Sequence, residues 1–357
     1  MLTKKQLSAI MINAIVVKML ITFPHNIIEI CKNAAWISAA YCAIIAFLLF
    51  SAISRVYSSD RNIIGIAERL GGVPMRIAVG VTVFAVLFAN FFTFVRIFPE
   101  VIRMVLLQTT YVELIGLLFA VGVVLGAYCG IEAVARISEL TLAGNGLVFL
   151  MFIVMLVPTM KPENIFPILG GGVYALFIQN IPFVSIFSDL LLLNLLIPHM
   201  QNSFDYRLAG MRAIVLGGGC AILIVTAYCF SYVYPVTEKY LMPVYQLERL
   251  IHLGNFFSRL EAIFQFIWSV SILLYASLYL AVMADVWKEA FGLSESKPLL
   301  PAVMMAVVGA AFIPNDLLMA AKAEAVVNRW LYIPAFALPL FFGVADKMFH
   351  VKQSRER

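Results

Sequence analysis

A lysine in the middle of an apolar run is the first residue of this sequence that could do chemistry. Lys18 lies roughly 20 Å beyond Lys5 if the run is helical, at about 1.5 Å per residue. A charge at that depth in a bilayer is costly and is usually paired or functional. Asp189, in a later apolar run, is the candidate partner for a structural ion pair. Two alternatives stay open, which are a role of Lys18 in ligand or proton handling and snorkelling of its side chain.

Two prolines interrupt apolar runs in a way that predicts a ligand site. Pro24 follows Thr22-Phe23, and Pro182 ends the segment Gln179-Asn180-Ile181-Pro182. Paired interruptions in the two halves of a membrane protein point to a binding site near the midplane. An α-amino acid suits such a site, because its carboxylate can face helix N-termini while its ammonium meets freed carbonyl oxygens. Ordinary proline kinks are the alternative.

A third group lies on one face of a later run, where Trp268, Ser271 and Tyr275 recur at helical spacing. They could line a small polar cavity, although aromatic stripes also pack between helices. Together with the broken segments they give the predicted ligand-binding residues, which are Lys18, Thr22, Phe23, Gln179, Asn180, Phe183, Trp268, Ser271 and Tyr275.

Other kinds of site are missing from the sequence. None of the four histidines has a second ligand at metal spacing, and there is no P-loop, nucleophile elbow or dinucleotide fingerprint. The five cysteines lie in or beside apolar runs and are expected to act as small hydrophobes. We therefore expect no enzyme, no metal and no cofactor.

The composition indicates how these residues are positioned. Of 357 residues, 63% are hydrophobic and 13% charged, against roughly 25% charged in a soluble domain. A membrane-spanning helix needs about 20 apolar residues, so one all-helical transmembrane domain over residues 1–357 is predicted. The runs predict about ten spans in contact with lipid, near 6–30, 35–54, 77–99, 111–129, 145–160, 173–198, 213–234, 260–286, 299–315 and 330–348. No basic block of the kind that binds nucleic acid is present.

The orientation follows from the loop charges. The side that holds both termini carries 15 Lys and Arg against 9 on the other side, with Lys18 inside a span. Because positive loops stay in the cytoplasm, both termini are expected there. Between spans 2 and 3, Ser58–Arg76 mixes isoleucines with charges, which favours an amphipathic helix on the cytoplasmic surface, with a plain polar loop as the alternative.

Short motifs along the chain carry a family resemblance. The sequence resembles the spore germination permease family, the B subunits of germinant receptors, within the amino acid–polyamine–organocation superfamily. The motifs, in chain order, are Lys5-Gln6-Leu7, Pro24, Ala35-Trp36-Ile37, Tyr128-x-Gly130-Ile131-Glu132-x-x-Ala135-Arg136, Asn164-x-x-Pro167-x-Leu169, Leu195-x-x-Pro198 and Phe257-x-Arg259-Leu260-Glu261-x-x-Phe264 with Trp268.

The resemblance implies a LeuT-like fold of two inverted five-helix repeats, about 6–160 and 173–348, with helices 1 and 6 broken. It also implies location in the inner (cytoplasmic) membrane of a spore-forming bacterium and assembly with an A subunit and a C lipoprotein subunit. The implied role is to sense a small nutrient, an amino acid or related solute, and to start germination. The ligand cavity is expected at the breaks of spans 1 and 6, with help from spans 3 and 8.

Two other functions compete with the receptor. A proton-coupled amino acid transporter would use the same cavity, and the sequence does not separate it from a sensor. A structural membrane anchor for the partner subunits is the third hypothesis. Neighbouring genes for an A subunit and a C lipoprotein would favour the receptor, and an isolated gene would favour the transporter.

Overall fold

The computed structural model describes residues 1–57, 60–200, 202–251 and 260–355. Within these ranges the chain is helical, apart from turns and one isolated bridge between Leu2 and Met200. Three features discussed above fall partly outside them, namely Phe257 and Arg259 of the last motif, the start of the Ser58–Arg76 segment and His252. The α-helices are α1 Lys4–Met19, α2 Phe23–Cys31, α3 Ala35–Val56, α4 Ile63–Val105, α5 Val112–Tyr128, α6 Ile131–Leu156, α7 Gly172–Tyr174, α8 Leu190–Leu195, α9 Ser203–Ser231, α10 Val236–Lys239, α11 Pro243–Glu248, α12 Leu260–Phe291, α13 Leu299–Ala311 and α14 Leu317–Arg355.

Six helical stretches in the described residues are long and apolar enough to cross a membrane. They are Phe23–Val56, Ile63–Val105, Ile131–Thr159, Phe204–Ser231, Phe264–Phe291 and Leu317–Phe349. Two shorter apolar helices, α5 and α13, accompany them. The all-helical prediction is therefore confirmed over the described part of the chain.

Several helices begin ten or more residues before the predicted spans that they contain. Helix α6 begins at Ile131 and not near 145, α9 begins at Ser203 and not near 213, and α14 begins at Leu317 and not near 330. In each case the missing turns carry charged residues, which an apolar pattern excludes from a span. Helices that extend past the membrane or face a polar cavity keep such residues. The difference matters for function, because the first turns of α14, which carry Glu324, lie outside the predicted span.

The segment after α3 is helical, but it packs differently from the prediction. It forms the start of α4, and Ile63, Ile64 and Ile66 are fully buried inside the protein instead of facing a membrane surface. Gly72 separates this segment from the apolar remainder of α4, with φ +70°, a value that favours glycine. Arg69 pairs with Asp346 of α14 at 2.9 Å, which fixes the segment to the bundle.

Two segments of the chain are broken, and they lie at the centre of the helix bundle. Helix α1 packs against α6, α9 and α12, while α14 packs against α4 and against a 3₁₀ segment, Ile181–Phe187. The first break is Leu20–Thr22, between α1 and α2. The second joins α7, a π-helical turn Ala175–Gln179, the 3₁₀ segment and α8.

Candidate functional site

A cavity of about 460 Å³ lies where the two broken segments meet α14. We call it the central cavity. Five of the predicted ligand-binding residues line it, namely Lys18, Thr22, Phe23, Gln179 and Phe183. The volume is within the range of small-molecule sites in proteins, about 300–1,000 Å³. The two breaks are thus brought together around one space.

The first break explains how Thr22 comes to face this cavity. Helix α1 ends at Met19, and α2 starts at Phe23 with Pro24 in its first turn, where a missing N–H costs little. Thr22 precedes α2 but makes no side-chain cap to it. Its hydroxyl instead donates a hydrogen bond to Glu324 Oε2 of α14. The break therefore frees a polar side chain for the cavity.

Lys18 lines the central cavity and bonds to residues of the second break. Its ammonium donates a hydrogen bond to Ser188 Oγ at 3.1 Å and lies 3.5 Å from Asp189 Oδ1. Its side chain is 9% exposed and that of Asp189 is 1% exposed. The structure thus brings the two charges of the predicted ion pair into contact. Their contribution to stability stays a prediction.

Behind Lys18, a hydrogen-bond network holds the carboxylate of Asp189. Tyr275 donates from its hydroxyl to Oδ2 at 3.2 Å, and Asn90 Nδ2 donates to Oδ1 at 3.3 Å. Asn90 also lies 2.7 Å from the hydroxyl oxygen of Tyr279. Both tyrosines are 1% exposed. Asp189 is therefore fixed among donors from α4 and α12, on the side away from the cavity.

Glu324 is a site residue that the sequence reasoning missed. It lines the central cavity, and its Oε2 accepts a hydrogen bond from the hydroxyl of Thr22. No Lys or Arg among the described residues lies within 4 Å of it, although Lys18 and Arg329 line the same cavity. The usable signal was the spacing of Glu324 and Asn328, which places them on one helix face. The boundary near 330 excluded both.

Four of the predicted ligand residues lie outside the central cavity, and two of these are Asn180 and Tyr275. Asn180 is fully buried and donates to Ser38 Oγ of α3, so it joins the second break to α3. Tyr275 lies on the far side of Asp189, as described above. Both remain close to residues of the cavity, and their predicted contact with a ligand is not part of the observed geometry.

Trp268 and Ser271 line a separate cavity of about 130 Å³ between α1, α6 and α12. We call it the second cavity. Both residues share a helix face with Tyr275, as the spacing predicts. At about 1.5 Å per residue, however, Trp268 and Tyr275 are about 10 Å apart along the helix axis, so one face of α12 passes two different sites.

A model of the spore permease family, described as spore germination protein, matches residues 1–320. The chain belongs to this family. The resemblance inferred from the short motifs is thereby confirmed. No curated protein matches the chain in a search by sequence.

Membership makes the chain an integral membrane protein of the spore germination permease class, which is a transporter-like and not an enzyme family. The match to the spore permease family includes both breaks, Lys18 and Asp189. Glu324 lies just beyond the matched residues. The central cavity therefore combines positions that the family model includes with a carboxylate that it does not.

Proposed function

We propose that this chain is the B subunit of a spore germinant receptor, which senses an amino acid or a related small solute in the central cavity. The observation that carries the proposal is that a lysine beside the first helix break and a carboxylate of α14, Lys18 and Glu324, line one cavity. A free amino acid carries both opposite charges within a few bonds. The cavity therefore offers a partner for each.

The charges of the cavity suit a zwitterion. An ammonium has three N–H donors, and that of Lys18 donates one to Ser188 and lies 3.5 Å from Asp189, so a donor remains for a ligand carboxylate. Glu324 interacts with Thr22 and Asn328 but has no cation within 4 Å among the described residues, so its charge can attract a ligand ammonium. Hydrogen bonds between charged groups are short and strong. Asn26 and Gln179, which also line the cavity, are available to a polar side chain of the ligand.

The proposal includes the LeuT-like arrangement of about ten spans in two inverted repeats, 6–160 and 173–348. With both termini in the cytoplasm, α2 lies on the outer side of the first break. Since α2 lines the cavity, a ligand then approaches from outside the inner membrane. The A subunit and the C lipoprotein subunit are the proposed partners, through which occupancy of the cavity starts germination.

A proton-coupled amino acid transporter is the second candidate. Membrane-embedded carboxylates form proton relays in transporters. Glu324, with no cation within 4 Å among the described residues, has the chemistry for this role. The hydrogen-bond network of Lys18, Asp189 and the two tyrosines favours the sensor, because a solute that crosses the membrane through the chain would have to open this network.

A germination assay and an uptake assay separate the two candidates. Spores without the chain, and spores that carry Glu324→Gln, are tested for germination with single amino acids, and membrane vesicles that contain the chain are tested for uptake of the active ones. The receptor predicts loss of one nutrient response and no uptake above that of empty vesicles. Uptake that depends on a proton gradient would contradict the receptor and support the transporter. Unchanged germination in both strains would contradict the receptor as well.

A further inference from the structure

The second cavity has a composition unlike that of the central cavity. Its walls are mainly aliphatic and aromatic side chains, such as Leu142 and Phe149 of α6 and Phe264 of α12. Of the described residues that line it, only Glu248 is charged, and Glu248 already interacts with another part of the chain. An engineered apolar cavity of about 150 Å³ in another protein binds benzene, so a cavity of about 130 Å³ can take a molecule built on one six-membered ring.

One wall of the second cavity carries a set of polar groups. Asn13 Nδ2 donates to the carbonyl oxygen of Ser271 at 3.0 Å, and Asn145 Nδ2 donates to its hydroxyl at 2.8 Å. These bonds orient both amides and leave their Oδ1 oxygens without a donor among the described residues. An unpaired acceptor on a mainly apolar wall favours a ligand that brings a donor. A ligand that carries one hydroxyl would satisfy it.

We propose that the second cavity binds a small uncharged molecule with an apolar body and one hydroxyl group, of the phenol or short alkanol class. This site goes beyond the proposed nutrient site and does not depend on it. Val16 of α1 and Leu20, directly after α1, line the second cavity, while Lys18, between them in sequence, lines the central one. An occupant therefore contacts the same turn of α1 that carries Lys18.

Two glycines of α6 provide a matched test. Gly146 lines the second cavity, and Gly144 does not. A Cβ atom added at either position meets no heavy atom within 4 Å, so both accept a larger side chain without a clash. Valine at 146 fills part of the cavity, whereas valine at 144 changes helix propensity equally and leaves the cavity open.

The experiment measures binding of 4-fluorophenol to the purified full chain by fluorine NMR. We expect saturable binding to the wild type, to Gly144→Val and to a variant with a filled central cavity, Ala325→Trp. Gly146→Val should weaken binding at least tenfold. Fluorobenzene, which lacks the hydroxyl, and 4-fluorobenzylamine, which adds a positive charge, should both bind more weakly than the phenol.

Several outcomes would overturn the proposal. These are the absence of saturable phenol binding, equal binding to Gly146→Val and Gly144→Val, or tighter binding of either comparison compound. The Ala325→Trp arm keeps the two sites distinct, since phenol binding that disappears there belongs to the central cavity. Failure of the nutrient proposal leaves each of these results unchanged.

Discussion

At the scale of single residues, the two carboxylates beside the central cavity differ in their partners. Asp189 lies against Lys18 and receives hydrogen bonds from Tyr275 and Asn90. Glu324 receives the hydroxyl of Thr22 and is partly buried beside the open cavity. The first carboxylate is enclosed by its own chain beside a cation, and the second lines the cavity with neutral partners, Thr22 and Asn328. Neutralising each should therefore have a different effect.

Breaking the contact between Lys18 and Asp189 should destabilise the protein. Lys18→Met and Asp189→Asn each leave one charge buried alone, which costs about 3–5 kcal/mol where a buried pair is broken. The double variant leaves no unpaired charge and should recover much of the loss. Thermal unfolding of the purified protein and the three variants measures this cycle.

The same cycle separates the alternatives for Lys18. If Lys18 serves the ligand instead, Lys18→Met should leave the unfolding temperature nearly unchanged and shift the ligand concentration needed for a response. Additive losses of stability in the double variant would contradict the structural ion pair.

Neutralising Glu324 should weaken ligand binding more than stability. Glu324→Gln removes a charge that faces a ligand ammonium, and hydrogen bonds to charged groups contribute about 1.5–3 kcal/mol, so affinity should fall about tenfold to a hundredfold. Glu29→Gln is the control, since Glu29 lines the same cavity but is exposed. Titration calorimetry with the active amino acid measures both. Equal losses in the two variants would contradict a specific role for Glu324.

Residue types and spacing could predict Lys18 and Asp189, because a charge inside an apolar run is visible in one dimension. They could also predict that the breaks at Pro24 and Pro182 meet, given the repeat expected from the family. Glu324 was missed because charged residues near it interrupt the apolar pattern, although its spacing from Asn328 was a usable signal. The spacing of Trp268 and Ser271 gives their direction around the helix axis, but it does not say which neighbouring helices they face at their height. It therefore could not show that they line the second cavity and not the central one.

At the scale of elements, the kink in α4 has a testable cause. Gly72 has φ +70°, and a Cβ added there meets nothing closer than Pro74 Cδ at 3.9 Å, so strain and not collision opposes a side chain. Because φ +70° with ψ −162° is a conformation essentially restricted to glycine, Gly72→Ala should lower stability by roughly 1–3 kcal/mol. Gly144→Ala is the control, because its helical backbone accepts alanine and should gain about 0.5–1 kcal/mol. A neutral Gly72→Ala in thermal unfolding would contradict this account.

Boundaries of elements depend on contacts that a sequence pattern does not contain. The early turns of α6 and α14 carry charges and still continue the helix, because their neighbours are protein, solvent or a polar cavity instead of lipid. The start of α4 has the isoleucine pattern of a surface helix, yet Arg69 and its partner Asp346 hold it against α14. The amphipathic pattern predicted the helix correctly, but the protein interior, and not the membrane surface, buries its isoleucines.

At the scale of the whole molecule, topology follows from the loop charges and can be tested directly. Both termini should be cytoplasmic, and the connection 235–259, part of which lies outside the described residues, should be the longest segment on the outer side. Single cysteines at positions 352 and 240, in a chain without its five native cysteines, should react with an impermeant reagent from inside and from outside, respectively. Labelling of position 352 from outside, or of position 240 only from inside, would contradict the orientation.

The most direct test of the central claim is thermal stabilisation of the purified protein by each of the common amino acids. At 100 times its dissociation constant, a ligand of the central cavity should add about 2.7 kcal/mol to the free energy of unfolding. Ala325→Trp, which fills the cavity, should lose this stabilisation, while Val326→Trp, at an exposed neighbour that does not line it, should keep it. Stabilisation that survives unchanged in Ala325→Trp, or the absence of any stabilising amino acid, would contradict the account.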